Sequence, residues 1–93
     1  EQGRIENVFR LQAMNATEVV QQLEVAVEGM PGIMIASERT MAVQPTEVRS
    51  LVLRVQIPPG SSPSGSHHIK FLIRSLNDAG IVIQEESVFL VPR

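Results

Sequence analysis

Apolar and polar residues alternate along most of this chain. The clearest runs are Leu51-x-Leu53-x-Val55-x-Ile57 and Ile69-x-Phe71-x-Ile73, separated by the helix-incompatible stretch from Pro58 to Ser66. A period of two buries one face of a sheet and leaves the other wet. The same pattern predicts five further strands. Ile5 to Met14 sets Phe9, Leu11 and Ala13 against Arg10 and Gln12, and Val19 to Glu28 sets Leu23, Val25 and Val27 against Gln22, Glu24 and Glu28. Ile33 to Ala36 and Thr40 to Gln44 are shorter, and Ile81 to Val91 closes the series.

Turn chemistry separates these runs. Asn15-Ala16-Thr17 offers side chains that bond nearby backbone and predicts a hairpin. Gly29-Met30-Pro31-Gly32 predicts a turn or crossover, and Asn77-Asp78-Ala79-Gly80 a second hairpin. In the last strand Ile81 and Ile83 share a face with Glu85 while Val88 and Leu90 fall on the other, which predicts a β-bulge near Gln84 to Ser87. Seven short strands predict an all-β fold, a Greek-key β-sandwich of immunoglobulin-like or fibronectin-III-like type, as one domain over residues 1–93. Labelled in immunoglobulin fashion, the first, second and fifth strands share one sheet, and the third, sixth and seventh share the other. A hairpin closing at 15–18 then puts Arg10 across from Glu24 or its neighbour and brings Arg54 alongside the same row, a predicted ladder contributing roughly 0.2–1 kcal/mol per pair.

Composition narrows the class. The core must be aliphatic, because the chain has three Phe and no Trp or Tyr. With no Cys there is no disulfide, cysteine zinc site, iron–sulfur ligation or thiol nucleophile within these residues. A net charge of −2, without any basic cluster among aromatics, argues against nucleic-acid binding. No apolar run approaches the roughly 20 residues that span a bilayer. The start Glu1-Gln2-Gly3-Arg4 shows neither an initiator Met nor a signal-peptide pattern, so the expectation is a soluble fragment of a longer protein or a mature product.

Candidate chemistry is sparse. His67 and His68 are the histidines of the chain and the candidate metal ligands, yet neighbours on a strand point to opposite faces and do not converge on one ion. A solvated strand edge explains them better. Ser61, Ser62, Ser64 and Ser66 lie near them in sequence without a nucleophile elbow, and a flexible loop is the stronger reading. Glu85 and Glu86 likewise face apart. Met30, Met34 and Met41 could hold a soft metal, but packing accounts for methionines of this kind more simply. Asn15-Ala16-Thr17 matches a glycosylation acceptor, and the turn alone explains it. No catalytic or cofactor-binding residue is expected in this chain.

A family resemblance goes further. Ile5-Glu6-Asn7-Val8-Phe9-Arg10-Leu11-Gln12, Asn15-x-Thr17, Val25-x-Val27-Glu28-Gly29-Met30-Pro31-Gly32, Val48-Arg49-x-Leu51-x-Leu53-x-Val55 and Pro58-Pro59 with Ser64-Gly65-Ser66-His67-x-Ile69-x-Phe71 together resemble the C-terminal Ig-like domain of the FixG family. These are cytochrome c oxidase accessory proteins, also called CcoG. The resemblance implies a bacterial inner-membrane parent whose ferredoxin-like segment holds [4Fe-4S] clusters and which serves copper handling and oxidase assembly. It places this domain on the periplasmic side, with oxidase assembly components or the parent's membrane region as protein partners. The family's redox residues map onto no position here, so no cofactor is expected in the chain. The alternatives are a direct copper-binding accessory domain, through His67 and His68, and a generic bacterial Ig-like adhesion module.

Overall fold

The computed structural model describes residues 3–93. Seven strands form two antiparallel sheets: β1 (Ile5–Met14), β2 (Gln21–Glu28), β3 (Met34–Ile35), β4 (Thr40–Val43), β5 (Val48–Ile57), β6 (Gly65–Ser75) and β7 (Val82–Val91). One sheet has three strands in the order β1-β5-β3, and the other has four in the order β4-β2-β6-β7. The alternation assigns faces as expected. Leu23, Val25, Leu53, Val55, Ile57, Ile69, Phe71 and Ile73 all turn into the core between the sheets. Phe9 of β1 meets Phe71 of β6 edge to face, with centroids 5.2 Å apart, which sets β1 opposite β6.

The partition of strands differs from the expectation. β1 pairs with β5, whereas β2 lies in the other sheet between β4 and β6, and β3 joins β5 rather than β6. Residues 15–20 therefore carry the chain between sheets and do not close a hairpin. The reason lies in Asn15, which is 4% exposed. Its Nδ2 donates to the carbonyls of Val19 and Val43, and its Oδ1 accepts from Thr17 N, so the side chain bends the connection back across the sandwich.

The predicted charge ladder falls with that register. Arg10 stands opposite Val52, not Glu24. The ion pairs run elsewhere, Arg54 to Glu6 at 3.0 Å and Arg74 to Glu24 at 2.7 Å. The bulge is also absent: β6 and β7 pair without interruption from Gly65↔Val91 to Arg74↔Val82. Phe89 and Val91 share the inward parity of Ile81, Ile83 and Glu85, and the first half of that face simply lacks a covering strand.

Two crossovers meet at one end. Gly29 has φ +124°, and a Cβ there would stand 2.8 Å from the His68 carbonyl oxygen. Gly32, at φ +69°, would drive a Cβ to 2.7 Å from Pro58 Cγ, so the 29–32 turn seats directly on the start of the 58–64 loop.

Candidate interaction site

Of the motifs that carried the resemblance, the Ile5-Glu6-Asn7 start, the Gly29–Gly32 turn and Pro58 to His67 gather at this crossover end and prove structural, whereas Asn15-x-Thr17 and Val48-Arg49 lie at the other. Ile5 packs against the core, and Glu6 Oε1 accepts from Gln56 Nε2 at 2.7 Å and from Arg54 Nε at 3.1 Å. The hydrogen bond from Gln56, followed by that from Arg54, holds the Glu6 carboxyl below its usual range. Asn7 reaches across to the other sheet. Its Nδ2 donates to Leu90 O at 3.0 Å and its Oδ1 accepts from Leu90 N at 2.8 Å, clamping β1 to the free edge of β7.

His67 and His68 do face apart. His67 Nε2 lies 2.8 Å from Pro63 O and donates to it, while His68 is exposed on the outer face. Ser61 Oγ donates to Pro58 O, so the serine and the histidine each address a loop carbonyl rather than each other. Among the described residues no three His, Cys, Asp or Glu side chains are grouped to hold a metal. Met30 and Met41 are buried in the core and Met34 is exposed, so the methionines do not share a site. Glu86 stands opposite Lys70 on the outer face, and Glu85 points the other way.

The more distinctive geometry lies at the opposite end. Beyond the Asn7 clamp, from Phe9 onward, β1 stands over β6, so that part of β7 overhangs the narrower sheet. Clamped by Asn7 at Leu90, the two edges part toward Val82 and leave an open cleft of about 170 Å³. Ala13, Leu23, Ile73, Ile81 and Ile83 form its apolar lining, joined by Glu85. Ile83 faces inward by parity yet is 50% exposed, because no described strand covers it. The floor is polar and internally satisfied. Ser75 Oγ donates to Gln21 Oε1, Gln21 Nε2 donates to Thr17 Oγ1, and Thr17 Oγ1 donates to Asn15 Oδ1. Gln21 of the floor and Ser75, which anchors it from behind the lining, are both buried, which makes the floor rigid.

Sequence reasoning missed this cleft. Its signal was present: Gln21 and Ser75 are polar residues at inward parity, next to Leu23 and Ile73, while Ile81 and Ile83 are apolar residues on a face shared with Glu85.

Over residues 1–92 the sequence matches the family described as "IG-like fold at C-terminal of FixG, putative oxidoreductase". The chain belongs to this FixG C-terminal family. A crystal structure of a FixG-related protein from Vibrio parahaemolyticus is similar over 95% of this chain and 80% of that one, at 27% identity and a TM-score of 0.84. An extracellular fragment of EsaA from Streptococcus gallolyticus aligns over 95% of this chain and 24% of its own, at 15% identity and a TM-score of 0.49. No curated protein matches the sequence. The FixG match agrees with the Ig-like sandwich described above.

Proposed function

We propose that this domain is a non-catalytic protein-docking module of a FixG parent, and that the apolar cleft between β1 and β7 is its docking surface. The observation that carries this reading is Ile83, an inward-facing isoleucine left half exposed over a rigid floor. Exposed apolar surface of this kind, rimmed by polar residues, is characteristic of interaction sites. The ionisable groups of the described residues that do meet, Glu6 with Arg54 and Glu24 with Arg74, form pairs on the outer faces, where they tune solubility rather than chemistry.

On this reading the parent's redox work belongs to [4Fe-4S] clusters in its inner-membrane portion. This domain stands on the periplasmic side and contacts oxidase assembly components or the parent's own membrane region. Its link to copper handling is then indirect. The test is to remove the domain from the intact parent and to measure cluster content by electron paramagnetic resonance alongside oxidase assembly. Docking predicts retained clusters with impaired assembly; loss of the cluster signal would assign the domain a role in the redox centre itself. The direct copper-binding alternative is separated by titrating copper into the domain and its His67→Ala/His68→Ala variant. Docking predicts equal binding by the two.

A further inference from the structure

The sandwich is one strand short on the β1 side. The β4-β2-β6-β7 sheet is four strands wide and the β1-β5-β3 sheet three, and with β1 over β6 the vacant column lies over β7. We propose that β1's free edge receives a single extended segment of another polypeptide stretch, with apolar residues at alternate positions, which becomes the fourth strand and covers Ile81 and Ile83. This rests on the docking reading and specifies how the partner is held.

Backbone register supports it. Asn15 N donates to Glu47 O at 3.0 Å, in the same register that sets Ile5 opposite Ile57. The odd-numbered positions of β1 therefore bond to β5, and Val8, Arg10, Gln12 and Met14 turn their N–H and C=O groups away from it. No described strand pairs with that edge. Only extended backbone matches a row of donors and acceptors repeating every second residue. Asn7 marks where the row must start, since its amide already spans the gap to Leu90. The segment thus runs from Val8 toward Met14, and its inward side chains enter the cleft.

The occupant is a lone strand rather than a second copy of this domain. Strands in a sheet lie about 4.8 Å apart. Two copies joined edge to edge at β1 would bring their β6 strands about that close, yet both overhanging β7 strands would have to fit between them, which needs about 14 Å. In addition, Phe9 and Leu11 of a second β1 are already packed in their own core and have no side chain to lend to the cleft. A single strand balances the two sheets at four over four.

The test is selection of peptides on this domain from a displayed library of random heptapeptides, followed by affinity measurement against two variants. Gln12→Pro removes an outward edge N–H and leaves the β5 ladder intact, as proline is tolerated on edge strands. Ile83→Glu changes the cleft without touching that edge. The expected result is enriched peptides with alternating apolar residues, binding weakened at least tenfold by each variant, and amide-exchange protection gained at Arg10 and Gln12 in the unmodified domain. The protection readout holds even where a variant fails to fold. Absence of enrichment, or binding without that protection, overturns strand addition. Binding that maps to another face leaves docking standing and removes the strand; intact oxidase assembly without the domain removes docking itself.

Discussion

Asn15 commits both hydrogens of its amide to the carbonyls of Val19 and Val43 and accepts Thr17 N and Oγ1 on its oxygen. Replacing it with alanine removes four hydrogen bonds at a nearly buried position, and equilibrium unfolding is expected to show a loss of about 1–3 kcal/mol. The same commitment leaves no free amide nitrogen for a sugar in the folded chain. Gly29→Ala is expected to cost a similar amount, about 1–3 kcal/mol, because its Cβ would meet the His68 carbonyl at a φ that side chains rarely adopt. Glu6 supplies a pH dependence. Its folded pKa lies below the unfolded one, so the ionised carboxylate favours the fold above the ordinary carboxylate pKa. That contribution fades as pH falls through the folded value. A Tm series between about pH 6 and 3 should therefore decline less steeply for Glu6→Gln than for the unaltered chain.

At the scale of elements, the strands themselves were legible and their partners were not. Alternation reports which face of a strand is buried; it carries no information about which neighbour supplies the hydrogen bonds. The 15–20 connection could serve a hairpin or a crossover, and the deciding fact, Asn15 reaching Val43 of β4, is a long-range bond. The 77–80 turn was readable because its bonds are local: Ile81 N donates to Asp78 O, and Gly80 N to Asp78 Oδ1. In β7, inward isoleucines without cover imitated a change of parity and suggested a bulge that the unbroken β6–β7 register rules out. The edge assignment makes its own prediction. In native-state amide exchange, Phe9, Leu11 and Ala13 should be protected by β5, whereas Arg10 and Gln12 should exchange much faster. Uniform protection along β1 would mean that its outer edge is already paired.

At the scale of the molecule, the two ends of the sandwich have different tasks. Several residues behind the family resemblance, Gly29, Gly32, Pro58 and Asn7, lie at the crossover end and specify the fold, while Asn15 and Thr17 stand at the other. The cleft at the other end arises from a mismatch in sheet width, with Asn15 and Thr17 in its floor. Sheet width is set by long-range pairing, so the family was readable from sequence and the cleft was not. If this FixG domain holds a protein segment in the cleft, site-specific photocrosslinking in the intact parent protein will capture that segment. A photoreactive residue at position 83 should give a defined protein adduct. The same residue at exposed Glu38, in the loop between β3 and β4, should give none. Equal adducts at both positions, or an adduct at position 38 alone, would contradict the account.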